Sequence, residues 1–331
     1  MKRIIVDMMG GDRSLCETVQ GICMAAGLGF ELVPVGDREL LWAAAESLSL
    51  DLSPFRLVHA PDVITMEDGH RSVLRGKSDS SMSLALRLLS EGEGDAMVSA
   101  GNTGALFTGA CLTVGRLGAV RRPAIAALLP LRRPVLLLDA GANVSVTPDC
   151  LVQFAVMGTV YMKRTLGVAC PTVGLLNVGA EAHKGTSLQV DTHKLLLADS
   201  RISFVGNVEA DRAAEGACDV LVADGFSGNL LLKAMEGMGR LMLHTVKDIF
   251  ASRPAGRLAA LAVRSDLGRM KRRFDPREVG GAPILGLSRP VIKAHGSSDA
   301  RAFANAIRQA SVCAEQDLSG ELTAVLGRSP D

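Results

Sequence analysis

Four short stretches set chemically capable side chains beside glycine. "VSAGNTGAL", Val98 to Leu106, places Ser99, Gly101, Asn102 and Thr103 between two apolar runs, and "NVGAEAHKGTS", Asn177 to Ser187, carries Asn177, Lys184 and Gly185. "ADGFSGN" holds Asp224 and Asn229, and "KAHGSSDA" holds His295, Ser297 and Ser298. In each, an apolar run stops at small polar residues, which reads as a strand end, a tight loop and a helix start. The first amides of a helix lack intrahelical partners and point into the preceding loop. That end is either closed by a capping side chain or left open to an anion such as phosphate. In "SAGNTG" the cap is Asn102 or Thr103, or else the amides join the Ser99 and Thr103 hydroxyls around an anion. Lys184 is a solvated loop lysine, or, beside His183 and Gly185, part of a phosphate-contacting turn. Ser298 is a plain cap beside a satisfied His295, or both face a ligand. Asp224 caps a turn or orients a reacting group.

Other chemistries find little support. "RGKSDSS" resembles half a P-loop, but Arg71 stands where the signature needs glycine, so Asp79 or Ser80 is read as a helix cap instead. No GxGxxG, HExxH or GxSxG occurs, and His183 and His193 are not at a helical ligand spacing. None of the seven cysteines falls in the polar loops above. No metal site, cofactor or covalent nucleophile is expected.

The elements that must position these loops follow one grammar. Short β-branched or leucine-rich runs end in Gly, Asn or Asp and pass into amphipathic segments of helical length, as in "RIIVDMMGGD", "VLLLDAGANV", "ISFVGNVEA" and the four stretches above. This alternation predicts a largely parallel sheet covered by helices, with the site assembled from loops at the carboxyl ends of the strands. No repeat or low-complexity linker divides residues 1–331, so one continuous α/β unit is expected. Residues 228–278 depart from the grammar as two successive helices, broken near Pro254 and Gly256.

Composition bounds the function. With 331 residues, 48% of them hydrophobic, the chain can bury a substantial core. A net charge of +1 and 3% aromatic residues argue against a nucleic-acid partner. Scattered, odd-numbered cysteines suit a reducing compartment, and the start "MKRIIVDMMGGD" lacks the apolar core of a signal peptide. The longest uncharged run, Ala96 to Gly115, is too broken by glycine and polar residues to span a membrane. A cytoplasmic protein is expected.

Twelve stretches in order across nearly the whole chain carry a resemblance: "VDMMGGD", "DSSM", "VSAGNTGAL", "RRPAIAALLP", "LLDAGAN", "QFAVMG", "GLLNVGAE", "HKG", "FVGNVE", "ADGFSGN", "GGAPILG" and "VIKAHGSSDA". Together they resemble the phosphate acyltransferase family of bacterial phospholipid synthesis, the PlsX type. The resemblance implies a three-layer α/β/α fold similar to phosphotransacetylases and isocitrate-type dehydrogenases. It also implies a cytoplasmic homodimer that reversibly transfers a fatty acyl group from acyl-[acyl-carrier protein] to inorganic phosphate. The acyl phosphate product would pass to a membrane glycerol-phosphate acyltransferase. Many members carry histidine after "GGD", where this chain has Arg13, so Arg13 is left out of the catalytic set.

On this reading phosphate itself is the nucleophile and a thiol with a pKa near about 8.5 leaves readily, which accounts for the missing nucleophile signatures. Lys184, His295 and Asp224 form the expected catalytic set: Lys184 for positive charge, His295 to polarise the carbonyl or protonate the thiol, Asp224 to orient them or act as base in reverse. Ser99, Gly101, Asn102, Thr103, Asn177, Gly185, Asn229, Ser297 and Ser298 form the substrate-binding set. Ala251 to Arg277 holds eight Arg or Lys against Asp266 and Asp275, a net of +6 that leaves −5 for the rest of the chain. Such a basic amphipathic hairpin suits an anionic membrane surface or the acidic carrier protein. Leu258, Leu261 and Val263 are expected to insert, with Arg264, Arg269, Lys271 and Arg272 on anionic groups. Two rival readings are a metal-dependent decarboxylating dehydrogenase on a similar fold and a non-catalytic membrane-docking scaffold.

Overall fold

The computed structural model describes residues 1–129, 131, 133–252, 259, 263–273 and 280–327. Its strands are β1 (Arg3–Asp7), β2 (Glu31–Gly36), β3 (Val58–His59), β4 (Ala96–Ser99), β5 (Ala124–Leu129), β6 (Val135–Leu138), β7 (Thr172–Leu176), β8 (Ser203–Val208), β9 (Val220–Val222), β10 (Gly281–Leu285) and β11 (Val291–Ala294). They form one sheet in the order β3-β2-β1-β4-β11-β10-β5-β6-β9-β7-β8. The helices are α1 (Leu15–Ala25), α2 (Arg38–Ser47), α3 (Ser81–Ser90), α4 (Thr103–Gly109, continued by a π-helical turn to Val114), α5 (Pro148–Leu166), α6 (Ser187–Ala198), α7 (Ala210–Ala214), α8 (Gly225–Ala251), α9 (Arg264–Arg273), α10 (Ala300–Glu315) and α11 (Leu318–Leu326).

Strand residues alternate between two cores, as a period of two requires. Ile4 and Val6, Val98, Leu136 and Leu138, and Val220 and Val222 pack with α1, α2, α5, α6, α10 and α11. Ile5, Met97, Leu137 and Leu221 pack with α3, α4 and α7, and Leu231, Leu232 and Met235 of α8 lie against the same core. The result is the expected three-layer arrangement.

The sheet is parallel except where β10 intervenes between β11 and β5, and where β5 meets β6. The first five strands in spatial order therefore run opposite to the last four. Twist offsets the reversal. Six steps from β1 to β9, at about 20–25° each, leave the two carboxyl ends only about 30–60° apart in direction.

The two-helix segment is present, with its first helix beginning three residues early, at Gly225. Helix α8 buries only Gly225 and Gly228 fully, and exposes Phe226, Leu230, Met238, Leu241, Met242 and Ile249. No helix among the described residues is long and apolar enough to cross a membrane. Leu258 and Leu261 lie outside the described residues. Val263 is half-buried at the start of α9, Arg264 is exposed, Arg269 pairs with Asp266, and Lys271 and Arg272 fall within α9.

Candidate active site

The carboxyl ends of β1, β4 and β11 lie side by side in the sheet, and the loops that leave them form the candidate crevice. Ser99 Oγ donates to Asp7 Oδ2 at 2.6 Å and accepts from the Gly101 amide at 3.1 Å, which bends the chain sharply out of β4. Asn102 then caps α4, its Oδ1 accepting from the Ala105 amide at 3.0 Å. Its Nδ2 donates to the carbonyls of Thr65, Met66 and Asp68 at 3.3, 3.2 and 3.0 Å. The side chain is thus fully engaged in positioning and closes the choice of cap in its own favour. Thr103 stays exposed at the helix start. The strap that Asn102 grips is tied from the other side by Lys77, which donates to Val63 O and Asp68 at 2.8 Å each. Ser80 caps α3, so the P-loop-like stretch is structural.

The turn after β11 lies beside the one after β4, since β11 pairs with β4. Its glycine brings the chains close: the Asp12 amide donates to Gly296 O at 2.9 Å, and a Cβ on Gly296 would lie 2.3 Å from Asp12 Oδ2. His295 is exposed, with Nδ1 3.2 Å from the Ser297 amide and 2.8 Å from Ser297 Oγ. Accepting from that amide leaves the neutral ring's proton on Nε2, open to the crevice. Partial desolvation of the ring and the positive charges of Lys233 and Lys293 lower its pKa against the opposing Glu236 and Asp12, which favours the neutral ring. The Ser298 amide donates to His295 O at 3.0 Å, while Ser298 Oγ is buried without a hydrogen-bond partner. An orphaned buried hydroxyl in such a turn calls for a ligand. The helix start beyond is occupied already: Asp299 caps α10 and Glu17 accepts from the Ala300 amide. Arg13 Nε donates to Ser297 O at 3.3 Å, which bolts the turn to the loop after β1.

Loops of the second half form two further groups. Asp224 caps α8, accepting from the Ser227 amide and hydroxyl at 2.9 and 2.8 Å. The α8 start is pressed onto the loop after β6, where Asp139 accepts from the amides of Ile125, Gly141, Ala142 and Asn143. A Cβ on Gly228 would lie 2.0 Å from Asp139 O, so only glycine fits there. Asn229 is exposed beside Gly141. In the third group the buried Asn177 donates from Nδ2 to Lys184 O at 3.0 Å. Gly185, at φ +90°, packs on the Asn177 amide, and the Lys184 side chain is exposed. Asn207, unread in the sequence, and His193, weighed there only as a metal ligand, brace this loop through Glu181 O and each other.

Ser99, Gly101 and Asn102 are therefore tied into one turn, His295, Ser297 and Ser298 into another, and the pairing of β4 with β11 sets the two turns side by side, with Thr103 exposed at the α4 start. Asp224 with Asn229, and Asn177 with Lys184 and Gly185, are gathered separately. Among the described residues no hydrogen bond or ion pair joins Lys184 to His295. The halves share one sheet, and α8 brings a second-half charge to the first, since Lys233 acts on both Lys293 and His295. Asp7 and Lys293, also missed, are the buried charges of the crevice. Their local signal was a charged residue closing or interrupting an apolar strand. Among the described residues no cluster of three or more His, Cys, Asp or Glu side chains is arranged to hold a metal ion.

A model of the fatty acid synthesis protein family matches residues 2–320. The chain belongs to that family. It is 43% identical over 315 residues to a phosphate acyltransferase of Acetivibrio thermocellus, covering 94% of this chain and 93% of the relative. It is 44% identical over 322 residues to one of Brevibacillus brevis, covering 96% and 95%. Among solved structures, a phosphotransacetylase from Streptococcus pyogenes superposes with a TM-score of 0.62 at 16% identity, covering 96% of this chain and 94% of that one. A 4-hydroxythreonine-4-phosphate dehydrogenase from Klebsiella pneumoniae gives 0.54 at 14%, covering 95% and 100%. These last two likenesses concern the fold alone.

Proposed function

We propose that the crevice binds inorganic phosphate between the α4 start and the His295–Ser298 turn and transfers a fatty acyl group to it from acyl-[acyl-carrier protein]. That the chain is an acyltransferase rests on its near-full-length relatives. The observation that supports this location is the buried Ser298 hydroxyl, left without a hydrogen-bond partner in the turn after β11, the strand paired beside the one that leads into α4 with its exposed Thr103. A phosphate oxygen attacks the thioester carbonyl carbon, the new C–O bond forms, and the C–S bond breaks with its electron pair on sulfur. A neutral His295 with its proton on Nε2 serves better as a donor to the carbonyl oxygen than as an acid, and one such donor is worth roughly 2.7–4 kcal/mol. The thiolate leaves without obligatory protonation. Lys184 adds positive charge from the second half, and Lys233 does so in part, its ammonium being paired with Glu236 at 3.0 Å. Asn102 and Asp224 act by positioning, since the hydrogen-bonding capacity of Asn102 is spent within the fold and both Asp224 oxygens accept from Ser227. Ser99 and Asn177 serve likewise, while Gly101 and Gly185 permit the close turns and Asn229 borders the entrance.

The exposed apolar stripe of α8 is assigned to a second copy of the chain, and the basic 251–277 stretch to an anionic membrane surface or the carrier protein. This would place the product near a downstream membrane acyltransferase from a cytoplasmic enzyme. The dehydrogenase reading has only a fold-level likeness behind it. Purified protein given acyl-carrier protein thioester and phosphate, with no nucleotide or added metal, should form acyl phosphate, trapped as the hydroxamate. Reduction of NAD with a hydroxy acid, and no acyl phosphate, would overturn the reading.

A further inference from the structure

Asp7, Ser99 and Lys293 form one rung across three adjacent parallel strands. Asp7 is in register with Ser99, and Ser99 with Lys293. All three turn to the face covered by α3, α4 and α8, because Ile5, Met97 and Val291, two residues earlier, belong to that core. They are 1%, 0% and 8% exposed. Lys293 Nζ donates to Ala100 O at 3.2 Å and also to Ala294 O. The ammonium thus bridges the carbonyl that precedes the Gly101–Thr103 turn and the one that precedes His295. At the other end of the rung, Asp7 holds Ser99 Oγ, which holds the Gly101 amide.

Burying an ammonium in an otherwise apolar strand is unfavourable unless its charge and donors are used. Packing alone does not require it, since Val291, Ile292 and Ala294 fill the rest of β11 completely. We propose that Lys293 is a positioning residue of the anion site: its ammonium fixes the separation between the α4 start and the His295–Ser298 turn, and adds positive charge beneath the bound anion. This rests on the reading that those two loops bracket phosphate. The charges facing Lys293 are Asp7 from β1, Asp12 from the loop after it and Lys233 from α8. Burial and Lys233 oppose the ammonium, the two aspartates favour it, and burial prevails, bringing its pKa down to about 8. Burial pushes Asp7 up to about 6. Both ends of the rung are charged between those values, and the clamp loses its cation above the upper one.

The test is Lys293→Met, which keeps the length of the stem and removes the charge. Half-saturating phosphate should rise about tenfold or more, while half-saturating acyl-carrier protein changes less than about twofold. The wild type should lose kcat/KM for phosphate as pH rises through about 8, where phosphate is already the dianion, and K293M should lack that limb. A variant that melts earlier yet keeps the wild-type phosphate saturation and alkaline limb would reduce Lys293 to a structural residue and overturn the proposal. If K293M does not fold, calorimetric titration of the wild type with inorganic phosphate decides: affinity should weaken between about pH 7.5 and 9.5, and a flat profile overturns the clamp. Wild-type protein that binds phosphate but forms no acyl phosphate would count against the acyl-transfer reading and leave the clamp standing.

Discussion

Replacing Asn102 should loosen the crevice by an amount that can be worked out from its contacts. Asn102→Ala removes the α4 cap, at about 0.5–2 kcal/mol. It also removes the amide that ties the strap at Thr65, Met66 and Asp68. Two donor protons serve these three carbonyls, so about two hydrogen bonds are lost, at roughly 0.5–1.5 kcal/mol each. Water can reach the partly exposed carbonyls, which holds the total to roughly 2–4 kcal/mol. With an unfolding entropy of about 2.1 cal/mol/K per residue over 331 residues, the thermal midpoint should fall by about 3–6 °C. Asn102→Asp separates the two roles. Its Oδ1 still caps α4, but its second oxygen faces three carbonyls and sets a negative charge at the anion site. The aspartate variant should therefore raise half-saturating phosphate more than the alanine variant does, although it keeps the cap. Melting curves followed by circular dichroism and phosphate saturation of acyl phosphate formation check both. A midpoint for Asn102→Ala within about 1 °C of wild type would refute the strap assignment, and equal phosphate saturation in the two variants would refute the anion site at α4.

Three further outcomes follow from the same geometry. His295→Ala should cut turnover by about a hundredfold or more while leaving the thermal midpoint nearly unchanged, because the ring is exposed and its contacts are local; near-normal turnover would remove His295 from the chemistry. Asp7, raised to about 6 by burial, keeps a proton in the folded chain that the unfolded chain has lost, so stability falls as pH rises from about 4 to about 6 and the penalty, on the order of 3 kcal/mol, is complete above that. Asp7→Asn lacks this term, and its midpoint should gain on wild type across that window; parallel profiles would contradict it. Changing Leu258, Leu261 and Val263 together to aspartate should abolish binding to anionic vesicles in a sedimentation assay and spare activity on soluble acyl-carrier protein; unchanged vesicle binding would leave the segment to the dimer.

What the sequence revealed and what it concealed divide along sequence distance. The strand-loop-helix grammar located the loops after β4, β7, β9 and β11, because an apolar run ending in Gly, Asn or Asp is a local signal, but it passed over the Thr65–Asp68 strap that Asn102 grips. The Ser80 and Asp224 caps were legible for the same reason. Direction was not. "GAPIL" and "AIAALL" read as strands either way, and nothing local says that β10 and β5 reverse the sheet. Expecting all the polar loops in one place therefore passed over a step: the second-half loops are gathered separately, and what links them to the first-half site is Lys233 of α8, whose charge acts on Lys293 and His295. The charged rung was concealed more deeply. Lys293 looked like the edge of a histidine motif, and Asp7 like the end of a strand, since their shared partner Ser99 lies 92 residues from one and 194 from the other. The "SAGNTG" loop owes its shape to that rung as well as to its own glycines, because Ser99 Oγ, held by its donation to Asp7, is the acceptor for the Gly101 amide. Local pattern thus named the walls of the site, and pairing between distant strands set the distance between them.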